Sequence, residues 1–278
     1  DNIITMSLIF GICLPRKIYL VSDSRLTSSD GTVKDDFSKW LDINPRISVL
    51  VANSAYHASW LLQKIIKDVR PEPGWSWDFT DFEKYLKDNL ENYGNEFYKE
   101  TGRYGESVSM IFGGFEKTKK LSIESSRMGD VMGAPVKARG DGVMVNQTID
   151  RTITDKFSEV LTEAARKGRV VESGTYFEVD LPKPRVLAVT IKATDKGAEV
   201  AYEDAHCYDG LVFNPNYSVE RIKLPPELLG EIEFRERMGQ TAESIIYNDC
   251  ANIISYTGRL VREKGWPTVG GTILPLLI

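Results

Sequence analysis

The chain reads as an α+β protein whose antiparallel sheets stack between helical layers. Short apolar runs joined by tight turns open it, two amphipathic stretches at helical spacing follow, and strands, helices and a last apolar run complete it. No internal repeat or low-complexity segment interrupts this order.

Taken in order, Ser7–Cys13 and Lys17–Ser22 read as two strands, joined by a turn at Leu14–Arg16 that contains Pro15. Ser38–Ile43 and Ile47–Val51 form a second pair, with Asn44-Pro45-Arg46 as the turn. Ala55–Asp68 carries apolar residues on one helical face, and Pro71, Pro73 and Gly74 stop it. Asp81–Glu100 is a second amphipathic helix. Ser107–Phe115 and Lys120–Glu124 read as another antiparallel pair, and glycines punctuate 129–142. Thr152–Lys167 is helical, with Thr154 as a cap, Thr241–Glu263 is a long helix, and Gly270–Leu277 is a buried final strand. Between them the chain changes character, with prolines, turn residues and short strands at Arg185–Ile191 and Glu199–Tyr202. The whole is one domain over 1–278, with an insertion at about 169–238.

Composition narrows the function classes. The 278 residues are 42% hydrophobic and 27% charged, ordinary for a globular protein, and the net charge of −5 argues against a general nucleic-acid binder. No apolar run reaches the roughly 18 residues that a membrane span needs. The first residues lack a basic region, so no signal peptide is expected. Cys13, Cys207 and Cys250 leave one thiol unpaired and lack metal-ligand spacing, which points to a reducing cytoplasm. His57 and His206 are the only histidines, so a Ser-His-Asp triad or a histidine metal centre is poorly supplied. His57, on the first helix, reads as a packing or surface residue, and Cys13, inside a strand, as core. Trp75 and Trp77 could form a recognition patch, but read rather as residues that pin a proline-glycine loop to the core.

Asp23 and Arg25 end the second apolar run with opposite charges, and they would face the same way if the strand continued through them. Sixteen residues before Asp23 stands Ser7, and sixteen after it stands Lys39. In a hairpin-rich sheet three such strand-end residues can converge, giving a hydroxyl, a cation and an acid that holds the cation. Charges at strand ends are more often simply solvated, and the chemistry alone leaves both readings open.

The stretch resembles a proteasome β-type subunit, a member of the N-terminal nucleophile (Ntn) hydrolases. The resemblance is carried, without a gap, by Ser7, Gly11-Ile12, Asp23-Ser24-Arg25-Leu26-Thr27, Lys39 and Asn44-Pro45-Arg46-Ile47. Weaker support comes from GFEKTKKLSIESS followed by Gly140-Asp141-Gly142, and from the stretch between Gln240 and Gly271 that leads into the last strand. The match covers roughly 1–150 and 239–278. It implies a four-layer αββα sandwich of antiparallel sheets with the inserted segment.

The resemblance also implies roles. Ser7 stands at the nucleophile position, usually threonine, with its own α-amine as general base. Lys39 would lower the pKa of that amine and of the hydroxyl, and Asp23 would anchor Lys39. Arg25 and Asp23 would form the floor of the site, and Thr27 would align a peptide as an added strand. Val51 and Ala55 would line the pocket for the side chain before the cut, and the Asn53 N–H would stand at the oxyanion position. Gly140 and Asp141 would support the site from the family's Gly-Ser-Gly turn. The chain departs from the pattern at Asn53, where the family has glycine, and at Asp141, where it has serine. Trp266 and Val269 stand where the family has a supporting aspartate and serine.

The expected function is a peptidase or amidase acting on a peptide or protein, with no cofactor and no metal, no nucleic acid and no membrane. A homo-oligomer, by analogy a ring, is expected in the cytoplasm. Met6-Ser7 implies that methionine removal could free the Ser7 amine, making residues 1–5 a remnant or an unprocessed leader. As written the amine is blocked and the 1–278 form should be inactive. Thr5 is an alternative nucleophile that breaks the spacing to Asp23 and Lys39. The alternative function is a catalytically inactive homologue that serves as an assembly or binding module.

Overall fold

A computed structural model describes residues 7–14, 17–27, 32–103, 105–124, 138–139, 176–194, 196–205, 209–213, 219–224 and 273–277, with single positions at 226, 230, 234 and 248. The chain divides into two compact units, Asp1–Glu116 with Pro184–Ile278, and Lys117–Lys183. In chain order the strands are β1 (Ile9–Leu14), β2 (Lys17–Asp23), β3 (Leu26–Thr27), β4 (Val33–Lys34), β5 (Trp40–Asn44) and β6 (Ile47–Asn53). Helices α1 (Ala55–Val69) and α2 (Phe79–Thr101) follow, then β7 (Ser107–Glu124), β8 (Ala138–Arg139), β9 (Tyr176–Thr194), β10 (Gly197–Ala205), β11 (Asp209–Phe213), β12 (Val219–Lys223) and β13 (Ile273–Leu277). The molecule is α+β with mostly antiparallel sheets.

The first unit holds two large sheets. One has the order β12-β11-β1-β2-β13, the other β10-β9-β7-β6-β5, and β3 and β4 form a small ribbon of their own. Alternation along the strands explains how both faces of the second sheet are covered. Leu50, Ile111, Val186 and Ala188 join Ile9, Ile18, Leu20, Leu211 and Phe213 of the first sheet in one apolar cluster. Their neighbours Val49, Met110, Phe112, Leu187 and Val189 turn the other way and meet α1 and α2. Gly11 permits the close approach of the two sheets. A Cβ there would lie 2.5 Å from Val186 Cγ1 and 2.6 Å from Ile111 Cγ2.

The helices are set by caps as much as by their apolar faces. The Ser54 hydroxyl accepts from the His57 N–H at 3.1 Å, and Asp78 Oδ1 accepts from the Thr80 and Asp81 N–H groups at 2.8 and 3.1 Å. The Asp78 cap starts α2 two residues earlier than the periodicity places it, because Phe79 is fully buried in the helix–sheet core. Gly102, at φ 67°, ends it in the left-handed conformation. His57 is fully buried with its ring stacked on Phe97 at 3.9 Å, which is the packing role. Trp77 packs against the same core and Tyr85, whereas Trp75 is exposed. Cys13 is a core residue.

Two sequence readings need correction. Ser107–Phe115 and Lys120–Glu124 are not a hairpin but parts of one strand, β7. The intervening Glu116-Lys-Thr-Lys has no glycine, proline or asparagine to turn the chain, and Glu116 accepts from Arg185 Nη1 at 2.6 Å. The segment read as an insertion, 169–238, contains β9, β10, β11 and β12. β11 pairs with β1, Gly11 facing Leu211, and Val186, Leu187, Val189, Ile191, Leu211 and Phe213 are buried. The described parts of this stretch, Arg185–Thr194 in β9, β10 and β11, therefore pair into the two large sheets rather than standing as an addition. In the second unit β8 pairs with β7, Ser122 facing Arg139. The helix read at Thr152–Lys167, the long helix at Thr241–Glu263 and the glycines of 129–142 lie outside the described residues, apart from positions 138, 139 and 248.

Candidate active site

Hairpin register brings the two ends of the first pair of strands together. Ile9 faces Ser22 across β1 and β2, so the chain just before β1 meets the chain at the end of β2. There the Asp23 N–H donates to the Leu8 carbonyl at 3.3 Å, and the Leu8 N–H donates to Asp23 Oδ1 at 3.1 Å. Asp23 is thereby fixed beside Ser7 with no exposed surface. Lys39 arrives from the other sheet, at the entrance to β5, where its carbonyl accepts from the Val51 N–H at 2.9 Å.

Lys39 Nζ donates to Asp23 Oδ1 at 2.8 Å and to Ser7 Oγ at 3.0 Å. Ser7 and Lys39 are 5% and 4% exposed, so the three groups form a nearly dry hydroxyl–ammonium–carboxylate chain. Burial pushes the Lys39 pKa below its ordinary value; Asp23 opposes that effect and Arg25 adds to it. An ammonium so placed gives up its proton more readily than a solvated lysine, while its remaining charge is directed at the serine oxygen.

Beside this chain lies a small, partly open cleft. Of the residues singled out from sequence, Ser7, Arg25, Thr27, Lys39, Val51, Asn53 and Ala55 line it, and Asp23 stands behind Lys39. Gly140 and Asp141 lie outside the described residues, as do Trp266 and Val269. β2 stops at Asp23, so Asp23 and Arg25 are not strand neighbours on one face. Asp23 turns inward to Lys39, and Arg25 Nε and Nη2 donate to Asp35 at 2.6 and 2.8 Å.

Asn53 has φ 70°, in the left-handed region that costs most side chains energy and that asparagine tolerates best after glycine. That backbone shape suits asparagine at this position. Its Nδ2 donates to Ser107 Oγ at 3.4 Å.

Sequence reading missed Leu26, Phe37, Ala52 and Ala58 as cleft residues, and Asp35 as the partner of Arg25. Two of these carried a signal. Ala58 lies one helical turn after Ala55, on the same face. In the β3–β4 ribbon Leu26 faces Lys34 and Thr27 faces Val33, so Arg25 and Asp35 fall opposite one another at the next step.

No group of three or more His, Cys, Asp or Glu residues that could hold a metal ion occurs among the described residues, and no described helix is long and apolar enough to cross a membrane. No protein-family model matches the chain, and comparison with curated proteins returns no match.

Proposed function

We propose that this chain is an N-terminal nucleophile hydrolase of the proteasome β-type, a peptidase or amidase whose nucleophile is Ser7 once residues 1–6 are removed. The observation that carries the reading is Lys39 Nζ, buried and shared between Ser7 Oγ and Asp23 Oδ1 at the wall of a cleft. A buried lysine is costly unless it is paired, and here its free donor is spent on a serine hydroxyl. The packing of α1 and α2 on one sheet, and of that sheet on another, supports an αββα sandwich.

In this mechanism the freed Ser7 amine takes the hydroxyl proton as Oγ attacks a substrate carbonyl. Lys39 keeps the amine unprotonated at neutral pH by its charge and steadies the developing alkoxide. The Asn53 N–H receives the oxyanion. The leaving amine takes the proton from the Ser7 amine, leaving an ester on Oγ, and a water activated by the same amine hydrolyses it. Thr27, in a two-residue strand at the cleft, would hold the substrate backbone as an added strand.

A second reading, an inactive homologue that binds or assembles, is favoured by Trp266, Val269 and Asp141 at positions where the family carries supporting groups. One experiment separates the two. A chain beginning at Ser7 should be acylated by a peptide epoxyketone or β-lactone, the 1–278 chain should not, and Ser7→Ala should abolish labelling. A folded, trimmed chain that stays unlabelled selects the silent reading.

A further inference from the structure

Three contacts fasten the segment leading into Lys39 to the chain that follows β2. The Ser24 hydroxyl donates to the Asp35 carbonyl, and the Phe37 N–H donates to the Ser24 carbonyl at 3.0 Å. The Asp35 carboxylate takes the Nε and Nη2 hydrogens of Arg25 side by side, the bidentate geometry that holds a guanidinium in one orientation. Arg25 also lines the cleft, so two cations, Arg25 and Lys39, share one wall. Asp23 accepts from Lys39 Nζ at 2.8 Å.

We propose that Asp35 is a positioning residue of this site, which holds Arg25 turned to itself and neutralised so that the Lys39 ammonium can stay between Ser7 and Asp23. The proposal rests on the catalytic reading for its purpose, but its geometry is independent of any reaction. Among the described residues, the charged groups that act on Lys39 are Asp23 at the end of β2 and Arg25 just after it, with Asp35 acting through Arg25. β6 and α1 contribute Val51, Ala52, Asn53, Ala55 and Ala58 to the same cleft, and none of these titrates. Arg25 already disfavours the Lys39 proton, in the same direction as burial. Losing the Asp35 charge strengthens that effect, and losing Arg25 relieves it.

The test is lysine-selective NMR on the full 278-residue chain, with the Lys39 signal assigned by its loss in Lys39→Arg. Asp35→Asn should lower the Lys39 titration midpoint by about half a pH unit or more, as expected for an unmasked cation in a partly buried cleft. Asp35→Glu should restore the midpoint, and Arg25→Met should raise it. In the Arg25→Met/Asp35→Asn pair the downward shift should vanish. An unchanged midpoint in Asp35→Asn with a lowered Tm would mean a merely structural contact and would overturn the proposal, as would an upward shift. If Asp35→Asn does not fold, Arg25→Met decides: a midpoint that fails to rise sinks the idea. In a form beginning at Ser7, the pH profile of β-lactone labelling should move with the Lys39 midpoint. Absence of all labelling would remove the catalytic reading, while the titration would still decide what Asp35 does.

Discussion

Lys39 and Asp23 form a buried ion pair, with side-chain exposures of 3% and 0%. Removing one member of such a pair leaves an uncompensated buried charge, so Lys39→Ala should cost about 3–5 kcal/mol of stability in denaturant unfolding. Lys39→Ala/Asp23→Ala should recover part of that loss, because the stranded carboxylate is gone. In labelling experiments on a form beginning at Ser7, folded Lys39→Ala should be nearly silent, and Asp23→Asn should be weakened less, since it acts through Lys39. Asn53 makes a backbone prediction. With φ at 70°, Asn53→Gly should fold as well as the parent, whereas Asn53→Ala should lose about 1 kcal/mol. If the oxyanion donor is the backbone N–H, Asn53→Gly should keep its labelling.

His57 belongs to the same scale but answers to pH. Burial lowers its pKa from 6.5 to about 4, and neither ring nitrogen has a hydrogen-bond partner among the described residues. The unfolded chain therefore takes up a proton below pH 6.5 that the folded chain refuses until about pH 4. Stability from this residue is complete above pH 6.5 and falls as pH drops toward 4. The full loss is on the order of 3 kcal/mol. Urea unfolding of the parent and of His57→Leu at pH 7 and pH 5 should show a smaller difference between the two pH values in the variant.

Among the elements, β1 depends most on a single small residue. The atoms that a Cβ at Gly11 would strike belong to β7 and β9 of the opposite sheet, both packed on their far sides by α2 or α1. They have nowhere to retreat, so Gly11→Ala should destabilise by roughly 1–3 kcal/mol, the usual range for overpacking. Because Ser7 stands just before β1, the same variant should slow labelling even where it remains folded. A Gly11→Ala protein with parental stability would show that the sheets can part at no cost.

For the molecule as a whole, the proposed relationship predicts self-association. Among the described residues, β5 and β10 end the second sheet and β12 and β13 end the first. Trp40 on β5 is 38% exposed, and such edges invite pairing with another chain unless they are covered. Sedimentation should give a species of several times 31.3 kDa. A monomer at every working concentration would remove the ring analogy and leave the active-site proposal standing.

Local chemistry was enough to read much of this protein from its residues. Alternating apolar residues, Asn44-Pro45-Arg46 and the proline-glycine stop after α1 mark elements because turn geometry and side-chain period act over a few residues. The spacing of Ser7, Asp23 and Lys39 was visible for the same reason, since hairpin register sets which strand ends can meet. The contact of Lys39 Nζ with both Ser7 and Asp23 was not legible there. It needs the edge of one sheet laid over the end of another, and that depends on Gly11 letting the sheets close. Residues 185–213 were misread because their turns and prolines look peripheral in sequence, and only pairing with β1 makes β11 central. Asp35 lay hidden because a half-exposed carboxylate resembles any surface charge until a two-residue ribbon sets it opposite Arg25. Burial and charge pairing over long sequence distances are properties of the folded chain, and they placed both the core of the second sheet and the electrostatics of the cleft.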